Sequence, residues 1–196
     1  MKVSDINAYF INPDDYSNRM EAMIEMLNKC GFNSVNRIAY NEKFNDKKNT
    51  ITKAHLHLIN TAISDKAFPF IIFEDDATQM RELPEEFNIP VEAELIYLGG
   101  STYAPSNMYI KEYNNDFYRV YNMLTAHAII VPDMRGASTI IRAYNKAFDE
   151  SKYSDELLAK ESHSHVFLVP KEGNYFYQND YTKDVTKFEW KNIKVR

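Results

Sequence analysis

The chain is poor in cysteine and glycine, and it contains no long apolar run. Its 196 residues include a single cysteine, Cys30, and five glycines. One cysteine excludes an internal disulfide and favours a reducing compartment, which we expect to be the cytoplasm. Residues 1–5 lack the apolar run of a signal peptide, and no stretch approaches the length of a transmembrane segment. No Walker-type glycine loop is present, which argues against a P-loop phosphoryl-transfer enzyme.

Charged residues of both signs are spread along the chain. Acidic residues outnumber basic ones by 28 to 23, so the net charge is −5. This net charge argues against an overall basic surface that binds nucleic acid, although a local basic groove is compatible with it. The basic residues of the C-terminal tail are too dilute for an anionic-lipid patch. They are Lys183, Lys187, Lys191, Lys194 and Arg196.

Predicted strands alternate with predicted helices through the first half of the chain. Short apolar runs indicate strands at 7–12, 34–39, 68–73, 95–98, 118–121, 126–131 and 166–169. Helical spacing of apolar residues predicts helices over 50–64 and 134–148. Two further helices are predicted to begin after the N-caps Ser17 and Ser154. The stretch 101–116 and the tail after Gly173 read as irregular. This alternation predicts a single α/β domain with a mostly parallel central sheet flanked by helices.

Three consecutive acids follow the most apolar predicted strand. Glu74, Asp75 and Asp76 come directly after it, and ligands of open α/β sheets bind beyond the carboxyl ends of strands. Backbone alternation places Glu74 and Asp76 on one side and Asp75 on the other. Carboxylates are the ligands that Mg²⁺ and Mn²⁺ prefer, and such a metal can grip the two phosphates of a nucleotide sugar. The alternative is structural, with Asp75 or Asp76 capping a helix.

A series of short motifs, in order along the chain, resembles glycosyltransferase family 25. This family includes lipooligosaccharide and collagen galactosyltransferases. Residues 70–77 are similar to its acidic "ILEDDA" motif, and Ile11-Asn12 with Arg19 resembles its opening motif. The other matching positions are Ala54-His55-Leu56, Ala126-His127-Ala128-Ile129-Ile130, Gly136-Ala137, Asp155, Pro170, Gln178 and Asp184. The chain departs from the family in its short length, in Ala54 for serine, in Ala126 for threonine and in Ile129 for tyrosine.

The resemblance implies a GT-A-like fold, a nucleotide-sugar donor, Mn²⁺ or Mg²⁺, and inversion at the anomeric carbon. We expect residues 1–100 to bind the donor, a UDP-sugar, and residues 101–196 to form the acceptor side and tail. The acceptor that the family implies is a surface glycan. A short enzyme of this composition also fits a phage protein that glycosylates hydroxymethylated DNA bases in the host cytoplasm. A non-catalytic GT-A-like binding domain is the third alternative.

The predicted site residues divide by role. The predicted metal ligands are Glu74, Asp76 and Asp180, with His163 or His165 as a possible third ligand or a surface histidine. The predicted donor-binding residues are Asn12, Arg19, His55, Glu74, Asp75, His127 and Gln178. Asp155 is the predicted general base and Glu156 its fallback, because inversion needs one base opposite the leaving group. A structural alternative exists for each group. His55 and His127 would be histidines of the apolar core, and Asp155 and Glu156 would be acids that stabilise the N-terminus of a helix through its dipole.

Overall fold

The structure is a computed structural model that describes residues 1–100, 108–124 and 127–178. The helices are α1 (Ser17–Lys29), α2 (Lys47–Ser64), α3 (Met134–Asp149) and α4 (Ser154–Glu161). The strands are β1 (Asn7–Ile11), β2 (Ser34–Ile38), β3 (Phe70–Glu74), β4 (Ala77–Gln79), β5 (Leu95–Gly99), β6 (Tyr109–Glu112), β7 (Phe117–Tyr121), β8 (Ala128–Val131), β9 (Phe167–Pro170) and β10 (Phe176–Gln178).

Eight strands form one sheet in the order β2-β1-β3-β8-β5-β9-β7-β6. Strand β1 is parallel to β2 and β3, and β5 is parallel to β9. Strand β8 is antiparallel to both its neighbours, and so is β7. Six strands therefore point in one direction and only β7 and β8 are reversed, which confirms the predicted mostly parallel sheet. Strands β4 and β10 form a separate antiparallel pair.

Each face of the large sheet carries its own apolar core. Residues alternate between the faces along β3, so that Ile72 packs on one face and Phe73 on the other. Helices α2, α3 and α4 cover the first face, where Leu58 and Ile140 are buried. Helix α1 and the β4–β10 pair cover the second face, where Leu27 and Phe176 are buried. The sheet is thus flanked by helices on both sides, as the sequence predicts.

The β4–β10 pair lies close above the end of β5. A Cβ atom at Gly99 would lie 3.0 Å from the carbonyl oxygen of Phe176, so a side chain here would press against the backbone of β10. Asn174 also donates from Nδ2 to the carbonyl oxygen of Gly100 at 2.7 Å. The small sheet is therefore held at the edge where β3 and β5 end.

Several local predictions differ from the structure. Ser17 does not cap α1 but is its first residue, because the 3₁₀ turn Asp14–Tyr16 leads directly into the helix. Ser154 likewise begins α4, after an N-cap at Tyr153. Strand β6 lies in the stretch predicted as irregular, and β10 lies in the predicted irregular tail. Over the described ranges, no helix combines the length and the apolar character that crossing a bilayer requires.

Candidate active site

The three acids at the end of β3 enter three different environments. Glu74 faces the α2–α3 side of the sheet, where two histidines are buried. Asp75 faces α1, and Asp76 faces β10 of the small sheet. The prediction that alternation places Asp76 on the same side as Glu74 does not hold, because β3 ends at Glu74 and Asp75 and Asp76 lie in a turn.

Glu74 lies between two buried imidazoles. His55 Nε2 of α2 is 3.8 Å from one carboxylate oxygen, and His127 Nδ1, just before β8, is 3.6 Å from the other. His55 donates from Nδ1 to the carbonyl oxygen of Ile51, which only accepts, so its Nε2 is the nitrogen turned towards Glu74. Within the part of the chain that the structure describes, neither His55 Nε2 nor His127 Nδ1 has a hydrogen-bond partner. Burial raises the pKa of the Glu74 carboxyl, but the neighbouring His127 and His55 outweigh burial and hold it below its usual range.

Both carboxylate oxygens of Asp75 accept hydrogen bonds from protein side chains. Arg19 Nη1 donates to one of its oxygens at 3.1 Å, and Asn12 Nδ2 donates to the other at 2.9 Å. Asn12 is completely buried, and its own Oδ1 accepts from Arg37 Nε at 3.0 Å. Arg37 also reaches Asp14 and the backbone of Asn12. Asn12 therefore holds Asp75 from within the fold, and Arg37 is a supporting residue that the sequence did not reveal.

Asp76 keeps one oxygen without a partner. Gln178 Nε2 donates to Oδ2 at 2.9 Å, whereas Oδ1 is buried and has no hydrogen-bond partner among the described residues. Burial raises the pKa of the Asp76 carboxyl, the charges of Glu74 and Asp75 add to this, and together they outweigh the Gln178 hydrogen bond and the charge of His127. An unpaired oxygen in a locally negative environment is what a cation ligand requires.

The residues present fit a divalent metal only if substrate completes its coordination. Among the described residues, no three His, Cys, Asp or Glu side chains are arranged to hold a metal by themselves. Mg²⁺ is usually held by one or two carboxylates together with waters and substrate phosphates. Asp76, with Glu74 beside it, fits that pattern. The predicted ligand Asp180 lies outside the described residues.

The predicted base Asp155 lies near two buried tyrosines on the face of the sheet that carries Glu74. Asp155 lies in the first turn of α4. Burial raises the pKa of the Tyr97 and Tyr144 hydroxyls, and the charge of Asp155 raises it further; Glu74 also acts on Tyr144. The Tyr144 ring packs edge-on against His55, with ring centroids 5.6 Å apart. Tyr97 and Tyr144 escaped sequence reasoning because each lies within an apolar pattern. Glu156 is exposed to solvent.

His163 and His165 are not brought to the acids. Both lie around the turn that precedes β9 rather than on a strand, because Ser162, His163 and Ser164 turn back on residues 159–161. His165 contacts Glu94, and His163 Nε2 lies 3.1 Å from Asn122 Oδ1. The prediction that either is a third metal ligand with these acids is therefore not supported by the geometry.

A groove of about 390 Å³ begins at Asp75 and Asp76 and runs between α1 and β4. The helix contributes one wall and the strand the other. Its lining residues are Arg19, Ala22, Met23, Glu25, Met26, Lys29, Asp75, Asp76, Ala77, Thr78 and Gln79. The groove thus opens at the acids and lies on the side of the sheet opposite Glu74.

No protein-family model and no curated protein matches the sequence. Among solved structures, the chain is similar to a glycosyltransferase involved in the glycosylation of the major capsid of PBCV-1. The identity is 8%, the match covers 88% of this chain and 92% of that one, and the TM-score is 0.56. It is also similar to the CTP:phosphocholine cytidylyltransferase of Streptococcus pneumoniae, at 13% identity over 92% and 94% of the two chains, with a TM-score of 0.54. At these identities the similarity shows the fold alone, which is of the GT-A and nucleotidyltransferase kind.

Proposed function

We propose that the chain is a metal-dependent glycosyltransferase that moves a sugar from a nucleotide-sugar donor to an acceptor hydroxyl, with inversion. The observation that carries this proposal is the buried, unpartnered Oδ1 of Asp76, beside Glu74, at the carboxyl edge of the sheet. A buried polar atom without a partner costs roughly 1–3 kcal/mol. Such an atom needs an explanation, and a bound cation is the one that the neighbouring carboxylates support.

On this proposal, Asp76 and Glu74 hold Mn²⁺ or Mg²⁺, which supplies a Lewis acid for the departing diphosphate. Gln178 orients Asp76 through its hydrogen bond. Arg19 lies against Asp75 with 28% of its side chain exposed, which supports contact with a donor phosphate. Asn12 and Arg37 hold Asp75 in place from behind. The donor is a UDP-sugar by the resemblance to family 25.

Asp155 is proposed to take the proton of the acceptor hydroxyl. The support is its electrostatic connection through Tyr97 and Tyr144 to the face that carries Glu74. An inverting reaction needs one general base on the face opposite the leaving group. Glu156 is the weaker candidate because it is exposed to solvent.

Nucleotidyl transfer is the second candidate, since one similar structure is a cytidylyltransferase. The segment after β1 argues against it. Residues 12–15 read Asn-Pro-Asp-Asp, so they contain two acids and no glycine. A cradle of backbone N–H groups for a triphosphate is normally built from a glycine-rich loop. Glycosyl transfer is therefore favoured.

A neutral hydroxyl acceptor is favoured over DNA. Both cations that line the groove are paired with acids, Arg19 with Asp75 and Lys29 with Glu25. Binding a DNA backbone needs several Lys or Arg side chains that neutralise phosphates. Within the described ranges, the groove beside the acids does not offer them.

A thermal-shift panel of nucleotide sugars, with and without Mn²⁺, tests the proposed function. A donor at about 100 times its Kd should raise the Tm by roughly 5–10 °C, and only when metal is present. The matched control is Asp76→Asn, which should not respond. A shift produced by cytidine triphosphate alone would favour nucleotidyl transfer. No metal-dependent shift with any nucleotide sugar would refute the proposal.

A further inference from the structure

Tyr16 exposes an aromatic ring at the edge of the sheet that carries the acids. It is the N-cap residue of α1, and it ends the 3₁₀ turn that follows β1. Strand β1 is parallel to β3, so their carboxyl ends lie side by side, and ligands of open α/β sheets bind beyond these ends. Tyr16 is 46% exposed. Its ring therefore offers a flat aromatic surface to a ligand bound at the acids.

The backbone of Tyr16 is held by a residue that also supports Asp75. The N–H of Tyr16 donates to the carbonyl oxygen of Pro13 at 3.0 Å, and its carbonyl oxygen accepts from Asn12 Nδ2 at 3.0 Å. The same Nδ2 donates to Asp75 at 2.9 Å. Tyr16 and Asp75 thus share one buried anchor, which fixes the chain at Tyr16 relative to the acids.

Arg19 connects the ring of Tyr16 to the acids. Its guanidinium carbon lies 4.8 Å from the centroid of the ring, and its Nη1 donates to Asp75 at 3.1 Å. A cation over an aromatic face is attracted by the quadrupole of the ring, so this contact orients both side chains. Because Arg19 occupies one face of the ring, a second planar group would stack on the other face.

The charged side chains of the turn that contains Tyr16 are already paired. Asp14 accepts from Arg37 through Oδ1 and from Asn41 Nδ2 through Oδ2, and Asn41 Oδ1 accepts from the Asp14 N–H at 3.0 Å. Asp15 forms an ion pair with Lys43 at 3.3 Å. Reading the edge of a nucleobase requires donors and acceptors that are not engaged elsewhere, whereas every base has a face that can stack on a ring. The turn therefore suits recognition by stacking.

We propose that Tyr16 is a stacking platform for the nucleobase of the donor, and that it binds purine and pyrimidine bases alike. The inference rests on the proposed function and deepens it, because it assigns the residue that binds the base. Arg19 then lies between the base and the acids, where it contacts a phosphate of the donor. The resemblance to family 25 implies a uridine nucleotide, whereas stacking on an aromatic ring distinguishes poorly among bases.

Isothermal titration calorimetry of the full chain with Mn²⁺ tests the platform. The ligands are the diphosphates of uridine, cytidine, guanosine and adenosine, and inorganic pyrophosphate serves as the ligand without a base. The four nucleoside diphosphates should bind the wild type with affinities within about fivefold of one another. Tyr16→Leu should weaken all four by about tenfold, because stacking is lost, and should leave pyrophosphate binding unchanged. Tyr16→Phe keeps the ring and should bind every ligand like the wild type.

Tyr153→Leu is the matched control. Tyr153 is likewise an N-cap residue, is 53% exposed, and has Lys48 Nζ at 4.4 Å from the centroid of its ring. It precedes α4, which covers the opposite face of the sheet from α1. Its replacement should therefore change the affinity for none of these ligands.

The outcomes separate failure of the platform from failure of the proposed function. If the wild type binds none of the nucleoside diphosphates in the presence of Mn²⁺, both proposals are refuted. If the wild type binds them and Tyr16→Leu binds them equally well, only the platform is overturned. An equal loss of pyrophosphate binding would also overturn it, because Tyr16 would then act through Arg19 and not on the base. A preference of about 100-fold for one base would overturn the tolerance for different bases.

Discussion

Two acid–histidine clusters lie at opposite ends of the central sheet. At the carboxyl end of β3, Glu74 faces His55 and His127 at 3.8 and 3.6 Å. At the other end, just before β5 and β9, Glu94 accepts from His165 at 2.9 Å. The residue types are the same in both clusters, but the hydrogen bonding is not.

The cluster around Glu94 is saturated. Thr139 donates to the Glu94 carboxylate at 3.0 Å, and Arg142 contacts His165 Nε2 at 2.8 Å and Glu161 at 2.7 Å. The cluster at β3 instead contains three buried atoms that have no hydrogen-bond partner in residues 1–100, 108–124 and 127–178: His55 Nε2, His127 Nδ1 and Asp76 Oδ1. Saturated polar clusters fix a fold, whereas a buried unsatisfied group needs an explanation, of which a bound ion or ligand is one. The comparison supports a structural role for the cluster around Glu94 and agrees with the proposal that the cluster at β3 binds a ligand.

Replacing Asp76 by Asn should give the largest effect on turnover. The variant removes the charge that the proposed metal needs, so metal-dependent donor turnover should fall to background. Activity is measured at saturating Mn²⁺, with the wild type in EDTA as the control. Retention of wild-type turnover would show that the unpartnered oxygen has no role in the reaction.

The same variant should be more stable than the wild type at neutral pH when metal is absent. The pKa of the Asp76 carboxyl is raised in the folded state. The protonated carboxyl therefore contributes its full share to the free energy of unfolding below the ordinary pKa of 3.8, and this share is lost as the pH rises through the folded-state pKa. Above that range the buried charge is a cost, which Asn removes. The Tm difference, measured in EDTA, should vanish below about pH 3.8. A lower Tm at pH 7 would contradict this reasoning.

Replacing Asp155 by Asn should lower transfer by about 10²–10⁴-fold, the usual cost of a lost general base. Donor affinity should stay unchanged. Glu156→Gln is the matched control, because Glu156 is a neighbouring exposed acid in the same helical turn and should be nearly neutral. If Asp155 only favoured the start of α4, Asn would also be nearly neutral. Single-turnover transfer and Tm together separate these outcomes.

Replacing His127 by Asn should weaken metal affinity by about 10–100-fold, the usual cost of losing a residue that orients a ligand. Asn places an amide near the position of Nδ1 but cannot become charged. The pKa of Glu74 is lowered in the fold, so its stabilising contribution exists above the unfolded pKa and is lost as pH falls through the folded pKa. Without His127 that loss should begin at higher pH. Identical acid unfolding curves in EDTA would contradict the proposed pairing.

The fold could be predicted where the chain carries strong local patterns. Strands β1, β3, β5 and β8 are short apolar runs, and the four helices show regular apolar spacing or polar starts. Strands β4, β6 and β10 could not be predicted, because three or four residues carry no clear period. Strands β4 and β10 in addition pair with each other across a long stretch of chain. Strong patterns survive without tertiary context, and short strands do not.

The acids of the candidate site follow from their position at a strand end, but their supports do not. Arg37 reads as an ordinary polar strand residue, and its role depends on β1 lying beside β2. Tyr97 and Tyr144 are hidden within apolar patterns. The spacing of His163 and His165 indicated a strand, whereas backbone hydrogen bonds make a turn there. Each of these residues depends on a partner at least 25 positions away or on turn geometry.

The smallest effect on turnover is expected from Glu94→Gln, which should contrast most sharply with Asp76→Asn. Gln keeps the shape of the side chain, but its amide cannot accept all of the bonds that the carboxylate receives from His165 and Thr139. The unfolding free energy should fall by roughly 1–3 kcal/mol, the cost of a buried group left without its partner. For a chain of this length the Tm should drop by about 2–4 °C for each kcal/mol. Because the cluster lies at the far end of the sheet, kcat and the donor response should not change.

Asp76→Asn should do the reverse, with turnover lost and Tm raised at neutral pH. The two variants, measured side by side by calorimetry and by turnover, therefore form a crossed test. If Glu94→Gln lowered turnover at unchanged Tm, the division between a structural and a chemical cluster would be wrong.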